Sequence, residues 1–400
     1  MDVGRIEAIE KNQSVGFQLI VLPIFFLTGI FFLNFTIRII LSPLMPTILK
    51  DMNLTPDVAG SFFLILASGF FISLSCSGFV SSLLGHKKTI LLTSVGTGAA
   101  ILFTGLSHDV WAIRLCIFFV GLASGIYLPS GVAILTSSVE NKNWGKALGV
   151  HEMAPNLSFL LAPVICEVLL LWVSWRGVLM MVGAVSIGFG LLFYKFSTSA
   201  DFHGEAPRLK SLKPLMSIPS IWMMMVLFSL GVTGTIGVYS MLPLYLVQVH
   251  GMVQSEANTL ITLSRALTIP MSLIAGWLTD RVGIKWTLSS ILFFSGISTL
   301  FIGVLSGKAM MVAIFFQPLF AVCFFPPAFA ALSQICNAKV RNIAISLTIP
   351  VAFLMGSGVL PSLIGTLGKL GYFSEGFILF GCFILSGSMI PFFLKLIKKN

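Results

Sequence analysis

Charge is what this sequence has least of. Only 10% of its 400 residues are Asp, Glu, Lys or Arg, where a soluble globular domain carries roughly 25%. With 56% apolar residues alongside, no soluble fold could hide the apolar surface, so the surrounding solvent must be lipid. The mean hydropathy of +1.01 extends over the whole chain, which excludes a large soluble domain held by a single anchor. Cysteine is sparse too. The six residues Cys76, Cys116, Cys166, Cys323, Cys336 and Cys382 show neither paired metal-ligand spacing nor a disulfide framework. Five of them fall in apolar segments, where cysteine behaves as a small hydrophobe. The loops carry no nucleotide loop, metal cluster or nucleophile triad, so neither enzyme activity nor a cofactor or metal is expected. The apolar run that follows Met1 to Ser14 is longer than the roughly 7 to 15 residues of a cleaved signal. It is therefore expected to remain as a helix.

What the chain does have is apolar length. Segments of about 20 residues or more, as a hydrocarbon core of ~30 Å requires, fall at 17–46, 58–80, 89–107, 111–137, 147–172, 177–194, 219–247, 258–279, 287–306, 309–334, 342–367 and 376–394. Twelve crossings place both termini on one side. Of the 24 Lys and Arg, 17 then fall on that side, Lys50, Arg176, Lys308 and Lys369 on the other, and Arg38, Arg114 and Arg265 inside the membrane. Positive residues stay in the cytoplasm, so both termini are expected there, in a multi-pass protein of the cell (inner) membrane. The same bias accounts for the net charge of +10 without nucleic acid as a partner.

The longest polar stretch, Ser197 to Ile218, holds Gly204, Pro207 and Pro214. It divides the chain into an N-terminal six-helix half at 1–196, a linker at 197–218 and a C-terminal half at 219–400. A shift of 198 positions superposes Gly78 on Gly276, Gly85 on Gly283, Lys87 on Lys285, Pro129 on Pro327 and Pro163 on Pro361. A constant offset over four helices predicts a tandem repeat in parallel orientation.

The loop after the eighth segment reads Gly276-Trp-Leu-Thr-Asp280-Arg281-Val-Gly283-Ile-Lys285. It resembles the Gly-x-x-x-Asp-Arg-x-Gly-x-Lys/Arg loop of the major facilitator superfamily, between the second and third helices of a repeat. The fourth segment, with Gly121, Gly125 and Pro129, is similar to that family's fourth helix. The resemblance implies an all-α membrane protein of twelve transmembrane helices in two parallel six-helix repeats. It also implies a rocker-switch transporter, expected to work as a monomer, in which Gly276, Asp280, Arg281 and Gly283 act as a gate. Gly276 would permit close helix approach and Gly283 a tight turn. In the first half Ser82 and Leu83 stand where the family has Asp-Arg, and Arg114 lies one turn further out than the family's arginine. The fifth segment has Ala162-Pro163 without the surrounding glycines of many exporters.

Charges in the bilayer are costly and so mark function by default. Arg38, Arg114, Glu152, Glu167 and Arg265 fall on segments 1, 4, 5 and 8, and the interiors of segments 3, 6, 9 and 12 carry none. A central polar cavity predicts that distribution. Asn34 and Arg38 share a helical stripe, and Arg38 lies about 12 Å from the outer end of its helix at 1.5 Å per residue. Arg265 lies at about 10 Å by the same measure, in the other half. Two guanidinium forks suit a carboxylate, phosphate or sulfonate. Arg38, Arg265 and Asn34, with Tyr239 and Gln317 near proline breaks and with Arg114, are therefore the candidate substrate residues. Arg114 could instead reach the interface, and either deep arginine could serve structure alone. Glu152 beside His151 is a candidate proton-coupling pair, since burial disfavours the charged form of each. Alternatively Glu152 pairs with Lys146, and Glu167 reaches the outer headgroups. The expected function is secondary active transport of a small, anionic solute across the lipid bilayer with protons as coupling ion. The alternatives are efflux of amphipathic drugs or lipids, and a non-transporting membrane sensor on the same fold.

Overall fold

The computed structural model describes residues 22–140, 143–197, 202–204, 216–335 and 338–396. In lipid a segment must satisfy its own backbone groups, which a helix does alone. Among the described residues the regular structure is accordingly all helical. The first half comprises α1 (Leu22–Met52), α2 (Pro56–Leu84), α3 (His86–Leu106), α4 (Val110–Ser137), α5 (Trp144–Leu170) and α6 (Trp175–Phe196). In the second half α7 (Pro219–Gln248) is followed by α8, in two segments Gln254–Ala266 and Thr268–Val282, then α9 (Ile284–Val304) and α10 (Gly307–Ile335). Next come α11, in three segments Ala338–Leu354, Met355–Val359 and Leu360–Lys369, and α12 (Phe373–Phe393).

Twelve spans thus stand where the apolar segments predict them, with two differences. α1 runs on through Pro46 to Met52 and stops where Asn53 turns left-handed, φ 52°, to bond its N–H to Leu49 O. α8 is interrupted at Leu267. Most of the linker, and the N-terminal residues before Leu22, lie outside the described residues. The loop after α1 and its like-facing counterparts mark the Asp51 end of the bundle; the loop after α2 marks the Lys87 end.

The repeat is visible in the packing. A β-carbon on Gly105 of α3 would stand 2.7 Å from Arg176 O of α6, and one on Gly303 of α9 2.6 Å from Ser374 O of α12. Gly303 and Ser374 are the residues 198 positions after Gly105 and Arg176. Likewise Lys87 Nζ donates to Ser197 O at 2.8 Å, and Lys285 Nζ to Phe392 O at 3.1 Å. Each lysine thereby caps the C-terminal end of its half's last helix, as the helix dipole favours. The pairs α3·α6 and α9·α12 form the tightly packed backs of the two halves. The remaining helices lie between them.

Candidate functional site

Contacts between the halves begin at the Asp51 end. There Lys369 Nζ pairs with Asp57 at 3.0 Å, Thr47 Oγ1 donates to Gln254 at 2.6 Å, and Ser42 Oγ donates to Tyr239 O at 2.7 Å. Two longer seams flank these bonds. Along α2·α11, a β-carbon on Gly365 would stand 2.5 Å from Pro56 O and 3.1 Å from Gly60 N, so the backbones touch. Along α5·α8, Asn258 Nδ2 donates to Glu167 Oε1 at 2.6 Å and to Pro43 O at 3.2 Å. The 198-residue shift converts Gly60 into Asn258 and Glu167 into Gly365. The two seams are therefore one contact in duplicate, apolar and close on one side, polar on the other. Glu167 reaches across to the other half and not to the headgroups.

Both seams run inward to a cluster of aromatic rings and arginines. Arg38, 8% exposed, lies over Phe70 with 3.8 Å from its guanidinium carbon to the ring centre, and within 5.1 Å of the rings of Phe35 and Phe353. Its Nε has no acceptor. Arg265, 4% exposed, lies 4.5 Å from the centre of Phe159 and 5.3 Å from that of Tyr239, and donates to Thr235 O at 3.1 Å. Phe35 and Phe159 meet edge to face at 5.2 Å, and so connect the arginine of one half with that of the other. Among the described residues, no carboxylate pairs with either guanidinium. A ring covers a guanidinium face and leaves its N–H edge free, which is the edge a carboxylate or sulfonate binds. The hydroxyl of the buried Tyr239 also lacks a partner.

Beyond this level, toward the Lys87 end, the terminal parts of α4 and α10 pack within their own halves. The halves are joined at the Asp51 end, and α2 and the Ala338–Leu354 segment of α11 stay in contact past the cluster, whereas the ends of α4 and α10 make no extensive contact across the halves. α7 and α11 each contain a wide π-helical turn here, Thr233–Gly237 and Met355–Val359, and the two turns touch where Gly237 approaches Gly356 O. Such turns redirect backbone carbonyls, often at functional sites.

This architecture agrees with the comparison to known sequences, in which the Major Facilitator Superfamily profile matches residues 26–264 and 250–399. The chain belongs to the Major Facilitator Superfamily. It is similar to the "Probable sulfoacetate transporter SauU" of Cupriavidus necator, 26% identical over 44% of this chain, though the match spans only 41% of that protein's length. The "Niacin transporter NiaP" of Acinetobacter baylyi is 24% identical over 66% of this chain and 68% of its own. Among solved structures, a bacterial homologue of the human lysosomal transporter Spinster, in an inward-facing and unoccupied conformation, superposes with a TM-score of 0.79. It is 14% identical and covers 94% of this chain and 97% of its own. The chain is thus a multi-pass secondary transporter of small solutes.

In this superfamily member the other predicted residues are dispersed. Asn34 is turned into the first half, donating to Thr93 Oγ1 and Ser124 O, each at 3.3 Å. Gln317 donates to Gly234 O at 2.7 Å and braces the π turn of α7. Arg114 bonds Ser61 at 3.2 Å near the Asp51 end and lies over Trp111, well away from the cluster. Gly121 and Gly125 do provide close approach, each against the backbone of α2 at Phe70. Gly276 does not: a β-carbon there meets nothing within 4 Å. Gly283 holds the turn with φ +93°, matched by Gly85 at +79°. Asp280 and Arg281 are exposed, with Arg281 over the Trp277 ring. His151 is fully buried, between Tyr127 and Glu152 at 3.0 and 3.3 Å, so Glu152 pairs with its neighbour and not with Lys146. Sequence reasoning missed Phe35, Phe70, Phe159 and Phe353, since phenylalanine facing lipid and phenylalanine facing an arginine look alike. Only the spacing of Phe31, Phe35 and Arg38 on one stripe signals them.

Proposed function

We propose that this transporter carries a small organic anion, bound between Arg38 of the first half and Arg265 of the second, with Tyr239 beside them. The observation that carries the reading is the pairing itself. Two buried guanidiniums, one from each half, share one aromatic cluster and have no carboxylate partner among the described residues. Buried charge needs compensation, and a solute anion supplies it. A bridging anion also gives the halves a reason to move together, since it binds both only when they approach. Relatives named for sulfoacetate and niacin are named for acids, which supports the same class. The excess of Lys and Arg at the Lys87 end assigns that end to the cytoplasm of the cell membrane. The conformation is then inward-facing, with the rocker switch closed outside. Protons are the coupling ion, taken up at His151 and Glu152.

The test begins with a thermal-shift screen of the purified protein against organic acids, phosphates, amines and drugs, and continues with affinities for the best acid. Each of Arg38→Ala and Arg265→Ala removes a hydrogen bond to a charged group, about 1.5 to 3 kcal/mol, and weakens binding roughly tenfold to more than a hundredfold. Lysine restores part of the loss, because it offers a point charge without the planar fork. An acid that binds both alanine variants with unchanged affinity refutes the assignment. Preference for a cation or neutral amphiphile transfers the site to drug or lipid efflux.

A further inference from the structure

His151 has hydrogen-bond partners that dictate its protons. The Tyr127 hydroxyl lies 2.6 Å from Leu27 O and 3.0 Å from His151 Nε2. A hydroxyl owns one proton, and a carbonyl oxygen can only accept. Tyr127 therefore donates to Leu27 O, and its oxygen accepts from His151 Nε2–H. The imidazole is fixed with its proton on Nε2, which leaves Nδ1 facing Glu152 Oε1 at 3.3 Å. With Nε2 already protonated, neutral Nδ1 is an acceptor, and so is a carboxylate oxygen. The contact closes only if one further proton lies between them, on Nδ1 or on Oε1.

That proton has a route to water. His151 itself is fully buried, stacked on Phe31 at 4.5 Å with 13° between the rings, whereas the Glu152 side chain is 55% exposed. Glu152 and Phe159 are seven residues apart on α5, about 20° from alignment at 3.6 residues per turn. Phe159 meets Tyr239 and Arg265 of the opposite half. Glu152 thus lies on the Phe159 side of α5, about 10 Å nearer the Lys87 end at 1.5 Å per residue. Tyr127 of α4 and Phe31 of α1 contact His151, and Leu27 of α1 accepts from Tyr127. Lys146, on α5 itself, forms no ion pair with Glu152.

We infer that Tyr127, His151 and Glu152 form a proton-binding site entered from the Lys87 end, in which the His151–Glu152 pair holds one exchangeable proton and Tyr127 is a positioning residue that fixes the tautomer. On release, the Nδ1–H bond breaks with its electron pair left on Nδ1, the proton passes to Glu152 Oε1, and from there it leaves to water. Two lone pairs then face each other and the contact opens. On return the steps reverse. The site is tied to the arginine cluster through one stripe of α1, because Phe31 stacks on His151 while Phe35, one turn on, contacts Phe31, Phe159 and Arg38. Its role in coupling rests on the transport reading; its ability to bind a proton does not.

The experiment is nitrogen-15 NMR of the full-length protein in nanodiscs, with histidine labelled, between pH 5 and 9. There are five histidines, and the signal absent from His151→Asn is the one followed. The wild-type signal is expected to show Nε2 protonated throughout and Nδ1 gaining a proton as the pH falls. In Glu152→Gln the amide donates to Nδ1 instead, and the pH response is lost while Nε2–H persists. Tyr127→Phe removes one hydrogen bond from the lock and raises the Nδ1–H tautomer about fivefold to tenfold. A wild-type His151 that carries its proton on Nδ1 when neutral, or that does not respond to pH over this range, overturns the inference. Either result leaves the anion reading untouched. A responsive His151 in a protein whose solute accumulation ignores a pH gradient upholds the site and refutes only its use in coupling.

Discussion

The polar seam at the Asp51 end makes a quantitative claim about conformational balance. Asn258 is fully buried and donates to Glu167 at 2.6 Å and to Pro43 O at 3.2 Å. Separation of the halves at this end breaks both bonds and wets both partners. A hydrogen bond to a charged group contributes about 1.5 to 3 kcal/mol. Glu167→Ala should therefore shift the balance toward opening at this end by roughly tenfold to somewhat over a hundredfold. Asn258→Ala should shift it at least as far, since it loses the Pro43 bond too. The double variant should add little to Asn258→Ala, because one contact cannot be lost twice. Spin labels on Lys50→Cys and Gln248→Cys, exposed residues at the Asp51 ends of α1 and α7, report the separation by double electron–electron resonance in a background without the native cysteines. A distance distribution unchanged in both single variants would show that the glycine seam alone holds the end closed. An additive double variant would show that the two residues act separately.

Two further expectations concern the ends of the bundle. Asp280→Asn should slow transport while expression persists if Asp280, exposed in this conformation, takes part in closing the Lys87 end; cysteine accessibility from the two sides, if unaltered, removes it from the gate. Burial lowers the pKa of His250 in the loop after α7 from its ordinary 6.5, so the folded state favours the neutral ring. That stability is present above pH 6.5 and is lost as the pH falls through the lower folded value. Melting temperatures of wild type should drop in this window, and those of His250→Asn should drop less.

The twelve spans and the repeat were legible because lipid leaves the chain few choices. A segment of that length without charge must be a helix across the membrane, and one offset of 198 relates Gly85 to Gly283, Lys87 to Lys285 and Gly105 to Gly303. Arg38 and Arg265 were legible as candidates because few residues are so out of place in an apolar helix. Which neighbours they meet was not. That depends on how the two halves meet, a property of the assembled bundle that no single helix records. Asn34 shares the Arg38 stripe by spacing, yet its amide finds acceptors on α3 and α4 and turns away. Gln317 is polar in an apolar helix for a local reason, the carbonyl freed by the π turn at Gly234. The tyrosine that orders His151 lies 24 positions earlier on another helix, and no spacing rule connects the two.

The wide turn in α7 has a mechanical meaning. A π turn holds one residue more than an α turn, so tightening it to an α turn rotates the remainder of α7 by about 100°. Thr235 lies within the turn, and its carbonyl accepts from Arg265. Tyr239 comes four residues later, with its ring near Arg265 and its own carbonyl held by Ser42 of the first half. One oxygen atom is thus shared between the Arg265 guanidinium and the pitch of a helix. If Arg265 turned its donors to a solute, Thr235 O would be released, and a tightening of that turn would swing Tyr239 and pull on the joint to α1. Occupancy would then be communicated along the backbone itself, by a change of winding that needs no chain of side chains to relay it.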